Sequence, residues 1–165
     1  MAKGSFSMQI GEFIAKTKAN QDLVVRAITA KIDAGLVSRS PVGDASYWQR
    51  PPPPGYAGGR FRGNWQLSLG SPTTGSLDLT DKDGSATIAA HGAVVGAAKA
   101  GDVVYFVNNL PYAKRIEEGW SRQAPIGLVA LTIVEFQTIV DNAVNGVRAG
   151  TSSSDFAQGY STYKL

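Results

Sequence analysis

The chain has no cysteine and only one histidine, His91. Disulfides and thiolate metal sites are therefore excluded. A metal centre would need carboxylates gathered around a single imidazole, and no His-x-His or Glu-x-x-His spacing is present to begin one. A hydrolytic triad would have to use the same His91, and no Gly-x-Ser-x-Gly turn offers it a serine. His91 reads as a surface or helix histidine. No apolar run approaches the ~20 residues of a membrane helix, and the opening Met-Ala-Lys-Gly-Ser-Phe-Ser-Met stretch has no apolar signal core. The expectation is a soluble protein made in a cytoplasm, without catalytic residues, cofactor or metal.

What is there is enough apolar content for one core: 165 residues, 43% hydrophobic. The net charge of +3 is unevenly placed. Through Gly63, nine Lys/Arg face four Asp/Glu, and the remainder carries seven against nine. A basic first part can attract nucleic acid. It can equally give one subunit two faces that attract each other head to tail.

Apolar residues Phe6, Ile10, Phe13, Ile14, Val24, Ala27, Ile28 and Ile32 recur at helical spacing, which predicts one long or kinked helix to Gly35. Asn20-Gln21-Asp22 is a possible break in it, and Gly35 a natural C-cap. From Ser38 to Gly59 prolines and glycines forbid regular structure, and Tyr47, Trp48 and Tyr56 sit inside that loop. Phe61 to Leu69 alternates as a half-buried strand, with Phe61, Trp65, Leu67 and Leu69 on one face. Leu77 and Leu79 suggest a short return strand. Ser85 to Lys99 is alanine-rich and reads as helix, and Val103 to Val107 as a strand buried on both faces. Pro111 to Gly119 predicts a short helix. Pro125 opens the last one, whose stripe is Val129, Ile133, Phe136, Val140, Ala143 and Val147. Trp65, Phe61, Phe106 and Phe136 are the expected core aromatics. The fold class that follows is α+β: a small, mainly antiparallel sheet flanked by a long N-terminal helix and a C-terminal helix. It is one domain over residues 1–147, with a proline-rich loop at 45–58 and a polar arm at 148–165.

Several short patterns have plainer explanations than the chemistry they suggest. Glu117 and Glu118 are adjacent, so on a helix they diverge and cannot serve one substrate as an acid/base pair. A helix surface with one of them pairing with Lys114 or Arg115 accounts for both. Asp81-Lys82-Asp83-Gly84 opens like a calcium loop but lacks the later oxygen ligands, so it reads as a polar turn. Arg60-Phe61-Arg62 with Trp65 mixes charge and rings as single-strand binders do. Alternation sends the arginines and Asn64 to one face and the rings to the other. Pro53-Pro54-Gly55-Tyr56 matches a short recruitment motif, and a rigid loop explains it equally well.

Ser40-Pro41-Val42, the segment Gly58-Gly59-Arg60-Phe61-Arg62-Gly63-Asn64-Trp65-Gln66 and the run from Asn108 to Pro125 occur in that order. Together they resemble the neck or tail-completion family of long-tailed bacteriophages, minor tail components that join head to tail. Members typically show Ser/Thr-Pro-Val-Asp-Thr-Gly-Arg-x-Arg-x-x-Trp, then a strand ending in Asn-Asn-x-Pro-Tyr-Ala-x-x-x-Glu-x-Gly. The resemblance covers roughly residues 10 to 140 and departs at Gly43-Asp44-Ala45, where the proline-rich loop separates the halves of the first motif.

The resemblance implies a non-enzymatic ring subunit, commonly six-fold, in the virion neck after assembly in the host cytoplasm. Its partners would be copies of itself, the head-closure or connector protein, and the tail terminator or tail tube. DNA would pass through the lumen without sequence readout. Arg60, Arg62, Asn64, Asn109, Pro111, Tyr112, Arg115, Glu118, Trp120 and Ser121 are the expected subunit contacts. Trp48, Tyr56, Phe156, Tyr160 and Tyr163 are the expected contacts to adjacent rings. The alternatives are a tail terminator capping the tube and, of another class, a single-stranded nucleic-acid-binding protein using Arg60, Arg62, Lys16 and Lys18.

Overall fold

The computed structural model describes residues 6–45, 50–52 and 54–150. Trp48, Phe156, Tyr160 and Tyr163 lie outside the described residues. The fold is α+β, with a long N-terminal helix, a two-stranded antiparallel sheet and a C-terminal helix.

Helix α1 runs unbroken from Phe6 to Arg39, so neither Asn20-Gln21-Asp22 nor Gly35 ends it. Asp22 accepts instead from the backbone N–H of Ala100 at 2.9 Å. Gly35 makes room for a side chain: the Arg39 Nε–H donates back to the Gly35 carbonyl at 3.0 Å, and a Cβ on Gly35 would lie 2.5 Å from that guanidinium.

After the proline-rich loop, Arg62–Asn64 form a 3-10 turn leading into β1, Trp65–Leu69. The expected strand is therefore four residues shorter at its start, although Phe61, Trp65 and Leu67 are buried as the alternation requires. The chain coils here because Gly59 and Gly63 pack directly on the backbone of residues 79–82. A Cβ on Gly59, at φ +80°, would lie 2.6 Å from the Asp81 carbonyl oxygen. Leu77 and Leu79 form no strand and are exposed. The Asn64 side chain holds that segment where a ladder would have: it accepts from Leu77 N–H at 2.7 Å and donates to Leu79 O at 3.3 Å.

Helix α2, Ser85–Ala97, crosses over the sheet and returns the chain as β2, Val104–Asn108. The two strands pair with Trp65 opposite Asn108 and Leu69 opposite Val104. All of β2 is half-buried, so it is not covered on both faces. A two-stranded sheet with α2 packed against β1 has too little material to cover a second face. The short α3, Ala113–Glu117, follows, and α4, Val129–Arg148, closes the fold antiparallel to α1. Between them Ala124 to Gly127 turns, which delays α4 by four residues from Pro125.

The core gathers Leu36 and Val37 of α1, Phe61, Trp65, Leu110, Ala124 and Leu128, with Ile88, Phe106 and Ile116 packed against it. Phe61 and Trp65 meet edge to face, centroids 6.0 Å apart. Phe136 is not in the core; it is 48% exposed. Helix α4 turns Thr132, Ile139 and Ala143 inward. The stripe Val129, Ile133 and Phe136 stays more exposed, about 65° around the helix at about 100° per residue.

Candidate interaction surface

The two signature segments form an internal frame before they form any surface. The indole N–H of Trp65 donates to the Ser40 hydroxyl at 2.7 Å, which in turn donates to Leu36 O. The Arg62 guanidinium donates to the carbonyls of Ser38 and Ser40 at 2.7 and 2.8 Å and to that of Lys82. These carbonyls include the end of α1, where a cation also meets the negative pole of the helix. Burial pushes the Arg62 pKa down, and nearby Asp81 and Asp83 oppose that shift. The halves of the first motif, parted in sequence by the proline-rich loop, are thus joined in space.

Asn64 is fully buried at 0% exposure, with its amide also donating to Arg60 O at 2.8 Å. Its expected place at a subunit contact is corrected: a side chain without exposed area has nothing to offer a neighbour. Asn108 donates to Phe61 O at 2.9 Å, and Asn109 to Thr73 O and Gly75 O at 3.1 and 3.0 Å. Both tie the strand end to the loops that precede α2.

Glu117 carries more than a surface pairing. Its carboxylate accepts from the backbone N–H groups of Leu128, Val129 and Ala130 at 2.8 to 3.0 Å and so caps α4. Leu128, the residue at the N-cap position, supplies no side-chain cap. A charged acceptor on three otherwise unpaired donors, at the positive end of a helix, is the strongest capping chemistry available. Gly127, at φ +80°, permits the approach, since a Cβ there would lie 2.5 Å from the Glu117 carbonyl oxygen. Gly119, at φ +84°, likewise lies against the Pro125 carbonyl. One signal in the sequence was readable: Ala124-Pro125-Ile126-Gly127-Leu128 has no capping side chain, so α4 needed a cap from elsewhere.

His91 is a buried cross-link. Its Nδ1 lies 2.8 Å from Asp33 Oδ1 on α1 and its Nε2 3.1 Å from Trp65 O on β1. The Asp–His pair resembles part of a triad, but the second nitrogen faces a backbone carbonyl where a nucleophile would have to stand. The expectation of a surface histidine is corrected, though its placement on a helix holds. Asp81 is also buried, and accepts from Gly84 N–H, Thr87 N–H and the Thr87 hydroxyl at 2.7 to 2.9 Å. The calcium-like tetrad is therefore the cap of α2. Among the described residues no group of three metal-ligating side chains converges. No described helix is long and apolar enough to cross a membrane.

Most of the remaining expected contact residues are exposed. Trp120 is 74% exposed, with the Arg115 guanidinium 5.3 Å from its ring centroid. Lys114 of α3 and Glu118 just after its end pair at 3.7 Å, and Arg60, Pro111 and Tyr112 are exposed. Tyr112 leans toward Phe61, at 6.2 Å between centroids, and burial raises its pKa against the opposing charge of Arg60. Ser121 is half-buried and bridges to Ala124 within its own turn. Tyr56 is 37% exposed, with its hydroxyl lying against Gly43; burial, then Asp44, raises its pKa.

Large apolar side chains of the two long helices are exposed as well. Every described residue from Ser7 to Gln21 on α1 is exposed, including Phe13 at 67%. Ile133 on α4 is 69% exposed. A groove of about 560 Å³ between α1 and α4, lined by Val24, Val25, Val144 and Val147 with Thr17 and Arg148, holds no acid/base pair. No family model, curated protein or solved structure matches the chain.

Proposed function

We propose that the protein is a structural subunit of a bacteriophage neck, assembling as a ring that joins the tail to the capsid connector and lets DNA pass. The observation that carries this reading is the division of labour in the chain. The signature residues Ser40, Arg62, Trp65, Asn108 and Glu117 are joined by internal hydrogen bonds. The large apolar side chains Phe13, Trp120, Ile133 and Phe136 face outward. A rigid frame presenting unpaired apolar stripes suits a part built for assembly. The buried His91 and its carbonyl partner support a structural role for the only imidazole.

The nucleic-acid reading is weakened because Arg62 directs its donors at its own backbone, leaving Arg60 as the exposed member of that pair. Oligonucleotide binding with a steep salt dependence would restore it.

The test is electron microscopy of particles assembled without this protein. Filled heads beside separate finished tails are expected. Overlong tails would assign the terminator role instead, and normal infectious particles would overturn both.

A further inference from the structure

The sheet has two edges and only one is covered. The Gly70 N–H donates to Val103 O at 2.9 Å, one step beyond the pairing of Leu69 with Val104. Hydrogen-bonded pairs alternate along an antiparallel ladder, so Val103, Tyr105 and Val107 turn their N–H and C=O groups toward β1. Val104, Phe106 and Asn108 turn theirs away from it. The same alternation sends the Trp65 carbonyl out of the far edge of β1, where His91 meets it at 3.1 Å and α2 packs. Nothing does this for β2: among the described residues, the backbone groups of Val104, Phe106 and Asn108 have no outward hydrogen-bond partner. The strand reads Val-Tyr-Phe-Val-Asn in unbroken register, without the charge, proline or bulge that blunts an edge.

The chain carries a second free edge of matching length. Ser76 to Asp81 is the longest described run without helix, strand, turn or bend. Its inward bonds have a period of two: Leu77 N–H to Asn64 Oδ1 at 2.7 Å, the Asn64 amide to Leu79 O at 3.3 Å, and Asp81 N–H to Gly59 O at 3.1 Å. The backbone groups of Ser76, Asp78 and Thr80, which alternate with these, have no partner among the described residues. A segment fixed on one side and open on the other is presented as a strand already ordered, which lowers the cost of pairing it. It cannot reach β2 of its own chain. Asn64 and Gly59 hold it beside the start of β1, and the open edge of β2 faces away from β1.

We infer that residues 76–80 of one copy add to the open edge of β2 in a second copy as an antiparallel third strand. The inference rests on the ring reading and names its contact between copies. The register that pairs all five residues sets Asp78 opposite Phe106. Ser76, Asp78 and Thr80 then exchange hydrogen bonds with Asn108, Phe106 and Val104. Leu77 lies beside Val107 and Leu79 beside Tyr105, which covers two leucines that are 40% and 39% exposed in the single chain. Asp78 falls on the Phe106 face, beside a groove of about 260 Å³ that Phe106 shares with Lys114 and Val129. Asp78 has no ion-pair partner among the described residues, and the Glu118 partner of Lys114 stands off at 3.7 Å. Pairing residues 76–80 with themselves about Asp78 would instead set two carboxylates opposite each other. Each copy gives one edge and takes another, so the contact is heterologous and closes into a ring when the rotation allows.

Because the chain has no cysteine, engineered thiols report this register without background. Leu79 and Tyr105 form a non-hydrogen-bonded pair in it, whose Cα spacing of ~4.5 Å suits a disulfide. Full-length Leu79→Cys and Tyr105→Cys are oxidised singly and as an equimolar mixture, then resolved on a non-reducing gel. The mixture should form dimer about tenfold faster than either variant alone, reflecting the effective concentration of docked thiols. Ser76→Cys mixed with Tyr105→Cys should show no such gain, because the two side chains lie on opposite faces. No gain in the first mixture overturns the inference. Equal dimer from Tyr105→Cys alone also overturns it, and would mean that two β2 edges pair with each other. Val104→Pro removes an outward N–H at the first residue of the strand, where proline is tolerated. It should shift sedimentation toward monomer with unchanged helical circular dichroism; unchanged association would likewise overturn the inference. If the thiols fail while particles lacking the protein still show unjoined heads and tails, this pairing falls and the neck role stands.

Discussion

Trp65 donates its indole N–H to the Ser40 hydroxyl at 2.7 Å, and both residues are buried. That single bond joins the end of α1 to the start of β1 across the proline-rich loop. Ser40→Ala leaves a buried indole donor unpaired and should cost about 1–3 kcal/mol in urea unfolding. Trp65→Phe removes the donor together with core volume. A double-mutant cycle should show coupling; additive losses would deny the bond any energetic role.

Gly127→Ala should destabilise the chain by more than about 1 kcal/mol, since φ is +80° and the new Cβ would press on the Glu117 carbonyl. Glu117→Ala should cost about 1–2 kcal/mol and free the N–H groups of Leu128, Val129 and Ala130. Hydrogen exchange at those three amides is the direct readout. Unaltered protection would mean that α4 does not depend on this cap.

Removing His91 leaves Asp33 buried without its partner. His91→Ala should therefore cost about 1–3 kcal/mol, the range for leaving a buried polar group without its hydrogen bond. Adding Asp33→Asn should recover part of the loss, because the second change replaces the stranded carboxyl group. Two independent, additive penalties would show that the pair acts only as packing.

Asp83 is held below the ordinary carboxylate value of 3.8, chiefly by the Ser85 hydroxyl and backbone N–H that donate to it. A carboxylate with its folded pKa depressed contributes stability above its unfolded value. That contribution is lost as pH falls from about 3.8 through the lower folded value. Asp83→Asn should thus flatten the stability profile in that acid window and leave its shape near neutrality unchanged. Calorimetry across acid pH checks the slope.

Much of the architecture was legible because it is local. Helical spacing marked α1 and α4, alanine content marked α2, and the β-branched run marked β2. Element ends were less legible. Gly35 looks like a cap, yet the helix continues because its missing side chain accommodates Arg39. Leu77 and Leu79 look like a strand, yet Asn64 occupies their hydrogen-bonding groups. Of the expected contact residues, Arg60, Tyr112, Arg115, Glu118 and Trp120 lie exposed, whereas Asn64 is sealed inside.

By itself the sequence determined the fold class, the approximate place of the main helices and of the two strands that form, and that no thiol chemistry is available. Those properties depend on residues a few positions apart and on composition. Only the tertiary structure decided that α4 buries Thr132, Ile139 and Ala143 while exposing Ile133, and that Glu117 serves as a cap. It likewise decided that His91 bridges Asp33 and Trp65. Each of these depends on atoms supplied by another element, and periodicity along one helix does not say which of its faces that element will meet.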